Sequence, residues 1–265
     1  KYAVIDDYRS IFKRDNEGNK EVIFDVQSLN PDFTTNFDLI TRQYLTHAPL
    51  LDLCKAYENA DGTPYTGGAG APLAVNRDPR FYATIAYPGG QFMGMKVTDQ
   101  RFASGRTLCT AKKFSVYDEA FVSEYDWADI NYIVIRYSDV ILMLAEAVNE
   151  VDGPTQEVYD ALNLIRTRKS VALPGYDIGT NAFSKDKMRE IIRHERRIEL
   201  ACEGLYYSDI RRWKIAKDVM NGDIYNWYGK RIETRIFADK DYLWPIPEVQ
   251  LKENPNLLPN NPGWE

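Results

Sequence analysis

Histidine is nearly missing from this sequence: His47 and His194 are the only two in 265 residues. That removes most histidine-based chemistry. His194-Glu195 opens the zinc-protease pattern H-E-x-x-H, but its fifth position is Ile198, so the second ligand is absent. A serine nucleophile would need one of the same two histidines as its base, and no G-x-S-x-G is present. Cysteine is scarce as well. Cys54, Cys109 and Cys202 form an odd set without metal-ligand spacing, and they read as small buried hydrophobes. Gly67-Gly68-Ala69-Gly70 is followed by neither G-K-[ST] nor a helix, so it is no phosphate loop. A D-x-D-x-D-G calcium loop is also lacking. These absences leave no expected catalytic residue, metal or cofactor. No apolar run approaches the roughly 18 residues that span a bilayer, and no signal peptide or lipidation motif stands at the start. Basic charge is not in excess either: 33 Lys and Arg against 39 Asp and Glu give a net charge of −6, the wrong sign for a nucleic-acid partner.

What the chain does have is aromatic side chains, 13% of its residues, with 18 tyrosines and 5 tryptophans. Tyr and Trp combine a large apolar face with a polar tip, which suits cores and half-exposed binding surfaces alike. The apolar fraction of 44% and the charged fraction of 27% are ordinary for a globular protein. The length suits one large domain or two closely packed ones.

Hydrophobic periodicity divides the chain into three stretches. Residues 1–134 read as irregular and loop-rich, the face expected to meet a ligand. Val4, Tyr8, Ile11 and Phe12 predict a helix over 1–12 that is already under way, as if the chain were cut from something longer. Val22, Phe24 and Val26 alternate as a strand does. Residues 28–40 read as loop, 48–57 as a short helix, and 61–72 as an exposed Gly/Pro-rich loop. Phe81, Ala83, Ile85 and Tyr87 predict a second strand, with Met93 and Met95 on its return after Pro88-Gly89-Gly90. Residues 135–220 read as a scaffold of helical hairpins. Tyr137, Ile141, Leu144 and Val148 begin it, and Val158, Leu162 and Ile165 continue it beyond Gly153-Pro154, with Thr155 as N-cap. Met188, Ile191, Ile198 and Cys202 follow after Ser184, and a fourth helix is expected over 209–219. Residues 221–265 are expected to be irregular and to pack back on the scaffold as part of one structural unit, with Trp244-Pro245-Ile246-Pro247 extended.

Glu195, Glu199 and Glu203 share one helix face. A glycoside hydrolase would need one such carboxyl protonated near neutral pH. Arg166, Arg168, Arg193, Arg196, Arg197, Arg211 and Arg212 lie close in sequence and favour the ionised form. The expected result is an Arg–Glu network that locks helices together. Gly204 is expected to turn the chain where a side chain would clash, and Trp213 to plug the core.

Three strings carry a resemblance: IRYSDVILMLAEAVNE (135–150), ALNLIRTRKSVALPG (161–175) and ERRIELACEGLYYSDIRRW (195–213). The ending YLWPIPEVQLKENPNLLPNNPGW (242–264) supports it, as do EVIFDVQ (21–27), PLLDLCKAYENADG (49–62) and RDPRFYATI (77–85). Together they resemble the SusD/RagB family along nearly the whole chain. The resemblance implies a mainly α fold in which tetratricopeptide-like helical hairpins pack against an irregular, loop-rich region with short β-hairpins. It further implies a nutrient-capturing protein on the extracellular face of the outer membrane of Bacteroidetes. Such a protein would be held by a lipid anchor outside this chain, and would pass oligosaccharide to a SusC-like TonB-dependent transporter. The alternatives are a peptide-binding member of the same family, a helical-repeat module for protein contact, and a glycoside hydrolase.

Sugar rings stack their C–H faces on aromatic rings while their hydroxyls bond to amides and carboxylates. Binding aromatics are expected on loops carried by the helices. That selects Phe33, Phe37, Tyr44, Tyr65, Phe92, Trp127 and Trp227, with Tyr225 and Tyr228 beside the last. Asn30, Asn36, Asn76, Gln91 and Asn131 are the polar candidates.

Overall fold

The computed structural model describes residues 1–42, 44–67, 72–102, 106–115 and 128–264, with backbone only for Arg101 and Phe102. In chain order the helices are α1 Phe37–Arg42, α2 Leu51–Ala56, α3 Pro79–Thr84, α4 Tyr137–Asp152, α5 Gln156–Arg166, α6 Lys185–Glu199, α7 Tyr206–Arg212, α8 Ala216–Met220 and α9 Glu248–Glu253. The strands are β1 Val22–Val26, β2 Ile85–Ala86, β3 Gln91–Phe92, β4 Met95–Lys96, β5 Thr110–Ala111, β6 Tyr132–Arg136, β7 Gly222–Tyr225 and β8 Arg231–Arg235. All pair two by two and antiparallel: β1 with β6, β2 with β5, β3 with β4, and β7 with β8.

The mainly α scaffold comes from the helical stripes. α4 and α5 pack as a hairpin across a short connection, and α6 packs on α4. Leu142, Ala145, Val158, Tyr159, Leu162, Ile165, Met188 and Ile192 form their common core. Gly153 ends α4 at φ +82°, a conformation that costs glycine little. Ser184 caps α6 by accepting a hydrogen bond from the Lys187 amide at 3.2 Å. Ser184→Ala should therefore lower stability by about 1 kcal/mol, read as a shifted denaturation midpoint with the slope unchanged. Thr155 occupies the N-cap of α5 without a side-chain cap bond.

Several expectations are corrected. The first residues are not helical before a single 3₁₀ turn at Arg9–Phe12. Their backbone groups bond elsewhere: Ala3 to the Lys20 carbonyl, Ile5 to the Glu21 carboxylate and Tyr8 to the Ser170 hydroxyl. Residues 79–84 are a helix and not a strand, because Asp78 caps the Arg80 amide and Pro79 presets the first turn. Met93 turns the β3–β4 hairpin at φ +56° instead of lying on a return strand. The fourth helix breaks into α7 and α8 around Lys214. Gly204 is required by its φ of +82°, since a Cβ there would meet its nearest neighbour at an ordinary 3.5 Å. Trp213 does not plug the core. It is half-buried between the guanidinium groups of Arg193 and Arg212, and its indole N–H donates to Glu146 at 2.7 Å.

Candidate functional site

The base of the site is ionic. α6 and the turn after it place Glu195, Glu199 and Glu203 on one buried face. Arg80 Nη1 reaches Glu195 at 2.5 Å and Glu199 at 2.9 Å, while its other nitrogens hold Asp78. Arg166 bridges Glu195 and Glu58, both at 2.8 Å. Arg136 contacts Glu21 and Glu199 at 2.8 Å and Glu203 at 2.7 Å, Arg168 adds a bond to each of Glu21 and Glu199, and Lys113 holds Glu203. Burial alone would raise the Glu199 carboxyl. The guanidinium groups of Arg168, Arg136 and Arg80 outweigh it and hold the group well below the usual carboxylate range. Glu195 and Glu203 are lowered in the same way, burial being overcome by Arg80 and Arg166 for the first and by Arg136 and Lys113 for the second. The expected network thus exists with a different membership. Arg166 and Arg168 belong to it, and Arg196 pairs nearby with Asp139 and Asp209. Arg193, Arg197, Arg211 and Arg212 lie outside it, on Trp213, Asp52, the Tyr242 carbonyl and Glu146. Arg80, Lys113 and Arg136, distant in sequence, take their places.

This frame carries a cleft of about 690 Å³. Antiparallel pairing sets Val26 opposite Tyr132, and the bridge from Thr35 to Ala128 ties the following loop to the same edge. The inner end is aromatic. Phe37, Phe114 and Tyr132 pack ring against ring with centroids 4.9–5.8 Å apart. The rim is polar, with Gln27, Ser28, Thr34, Thr35, Asn36 and Asn131. Phe33 stands at its mouth with 72% of its surface exposed, shared with an adjoining hollow of about 520 Å³ that Glu17 and Leu29 also line. A hairpin-like bridge from Leu29 to Phe33 holds that ring out from the surface. Such a place offers one flat apolar face beside amides and hydroxyls.

The model of the SusD family matches residues 20–264. The chain belongs to the SusD family. SusD-like protein P2 of Formosa agariphila is 36% identical over 137 residues, which is 51% of this chain and 26% of that protein. A SusD-like carbohydrate-binding protein of Bacteroides fragilis superposes with a TM-score of 0.84 at 31% identity, covering 97% of this chain and 58% of the other. A second SusD-like protein of the same species gives 0.82 at 29% identity, covering 99% and 59%. The chain thus spans about a quarter of the curated relative and under three-fifths of the solved ones.

In this SusD-family chain the expected ligand residues do not converge on one point. Phe33, Phe37, Asn36 and Asn131 meet at the cleft, where Asn131 also accepts a hydrogen bond from the Ser28 amide and donates to Asp25. Asn30 is exposed close by in sequence. Tyr44 is exposed away from the cleft lining. Tyr65 is half-buried beneath the Arg77 guanidinium, 4.0 Å from its ring centre, and Asn76 is exposed beside that arginine. Phe92 is buried with Leu45 and Val97, leaving Gln91 exposed next to it. Trp227 is buried and stacks on Tyr87 with centroids 5.1 Å apart, so its ring face is already occupied. Tyr225 and Tyr228 are exposed, and Tyr228 donates to Asp99. Trp127 lies outside the described residues. Gln27, Ser28, Thr34, Thr35 and Tyr132 were not selected from the sequence. The β-branched run Ile133-Val134-Ile135 beside Tyr132 is the signal of β6 that would have led to them. Among the described residues no group of three His, Cys, Asp or Glu side chains is placed to hold a metal.

Proposed function

We propose that this chain supplies part of an oligosaccharide-binding surface, with a sugar ring stacked on Phe33 and its neighbours held along the amide and hydroxyl rim toward Phe37. The observation that carries this reading is the exposed Phe33 ring at the mouth of a cleft with an aromatic floor. The carbohydrate binding named for the Bacteroides fragilis relative supports it. The depressed carboxyls of Glu195, Glu199 and Glu203 leave none of these three poised as a general acid. In the whole protein we place this surface on the extracellular face of the outer membrane, held by a lipid anchor outside this chain, from which a SusC-like TonB-dependent transporter receives the glycan. Among the described residues no helix is long and apolar enough to cross a membrane.

Phe33→Ala should weaken glycan binding about tenfold, since an aromatic contact of this kind is worth about 0.5–1.5 kcal/mol beyond the area it buries. Calorimetric titration with a panel of oligosaccharides measures it. The exposed ring should leave the far-ultraviolet circular dichroism unchanged. Equal affinity in variant and parent would remove the cleft from consideration.

A second reading, protein contact through the helical scaffold, is favoured by one observation. α4 leaves Val140, Met143, Leu144 and Val151 exposed, an apolar stripe suited to another polypeptide and not to a sugar. Paired Met143→Lys and Leu144→Lys substitutions would abolish co-purification with the transporter if that stripe is the contact, and leave it intact otherwise.

A further inference from the structure

Resting on the glycan reading of the Phe33 cleft, we propose that it selects neutral oligosaccharides and discriminates against those bearing uronate or sulfate groups.

The argument is one of charge. Neither the cleft nor the adjoining hollow has a Lys or Arg among its lining residues. Four cations on or beside the segments that build the cleft are engaged elsewhere, while Lys13 and the exposed Lys20 lie outside both linings. Arg14 pairs with Asp129 at 2.7 Å. Arg42, at the end of α1, is buried on Asp38. Lys113, next to Phe114, is buried on Glu203. Arg136, at the end of β6, is enclosed by Glu21, Glu199 and Glu203. The sequence between Ser115 and Ala128, outside the described residues, contains no Lys or Arg either.

Carboxylates are closer. Glu17 lines the hollow and accepts the Asn131 amide at 2.7 Å, and Asp25 accepts the Asn131 side chain at 2.9 Å. Partial desolvation raises the Glu17 carboxyl above its ordinary value against the Asn131 amide bond, and the Asp129 and Asp25 carboxylates beside it add negative charge to this exposed edge. An anionic sugar would enter without a partner for its charge and facing charges of the same sign. A neutral ring meets what it needs: the Phe33 face, the exposed amides Gln27 and Asn36, and the Thr34 hydroxyl.

The test uses the full chain and matched ligands: xylan and galactan hexasaccharides, each in neutral form and in glucuronate-substituted or sulfated form. Titrations at low and at physiological salt should show neutral members binding through Phe33. Their anionic counterparts should bind at least tenfold more weakly, with the gap narrowing as salt screens the repulsion. Gln27→Lys, at an exposed rim position, should narrow the same gap at low salt. Anionic forms that bind as tightly as neutral ones, and lose that affinity in Phe33→Ala, would overturn the selectivity while leaving glycan binding in place. A gap that Gln27→Lys leaves unchanged would overturn its electrostatic cause. Binding of no saccharide at all would overturn the glycan reading and this inference with it.

Discussion

Glu199→Ala should destabilise the protein by about 3–5 kcal/mol, the range for breaking a buried ion pair by removing one partner. Glu199 contacts Arg80, Arg136 and Arg168, each fully buried. Its removal takes one carboxylate from three buried guanidinium groups, leaving Arg80 with Asp78 and Glu195, Arg136 with Glu21 and Glu203, and Arg168 with Glu21 alone. Against the roughly 5–15 kcal/mol that hold a typical domain together, such a loss takes about a fifth at the least and nearly all at the most. Glu199→Gln keeps the volume and one acceptor, so it should fall between parent and alanine variant. Glu190→Ala removes an exposed carboxylate paired with the exposed Lys187 and should change stability hardly at all. Urea midpoints of the three variants check the ordering. Equal midpoints for the Glu199 and Glu190 alanine variants would mean that the buried frame does not hold the fold.

Acid should unfold the protein in two stages. Burial lowers both histidines, His47 and His194, so each stays neutral in the fold while the unfolded chain takes up protons near pH 6.5. Stability therefore begins a shallow decline as pH falls through about 6.5. The carboxyls of Glu195, Glu199 and Glu203 are depressed in the fold, so below the unfolded value of about 4.3 the unfolded chain is protonated first. Each then removes about 1.4 kcal/mol per pH unit until its own folded value is reached. Glu58, whose carboxyl burial raises despite Arg166, acts above that window: it recovers stability as pH falls from its raised folded value to about 4.3, and so flattens the histidine slope. The urea midpoint followed from pH 7 to 3 should therefore slope gently and then steeply. A midpoint that holds constant to pH 3 would contradict the depressed carboxyls.

Legibility followed the range of the interactions. α4, α5 and α6 are written as periodic stripes with local stops at Gly153 and Ser184, so they were readable one residue at a time. The opening segment failed that test because its backbone partners lie at Lys20, Glu21 and Ser170, far along the chain. α3 was mistaken for a strand because alternating Phe81, Ala83 and Ile85 outweighed the Asp78-Pro79 start signal. Phe33 and Phe37, selected as aromatics of a stretch read as loop, both line the cleft, although Phe37 opens α1 and residues 37–40 are helix where a loop was expected. Trp227 and Phe92 met the same two conditions but pack inward. Exposure is a property of the assembled chain, and residue type does not state it. Of the polar rim, Asn36 and Asn131 were singled out in the sequence but Gln27, Ser28, Thr34 and Thr35 were not, because the β1–β6 pairing that gathers the rim joins residues more than a hundred positions apart.

The placing of the buried charges also sets a timetable. Glu21, Glu58, Arg80, Lys113, Arg136, Arg166 and Arg168 all leave the ribosome before α6 brings the carboxylates that join them. Until then Glu21 can meet Arg136 and Arg168, and Glu58 can meet Arg166, but the cations outnumber the carboxylates, and water remains the better solvent for the excess until α6 arrives. Its compact state should form late and in one step, so a chain stopped short of residue 195 should remain protease-sensitive along its whole length.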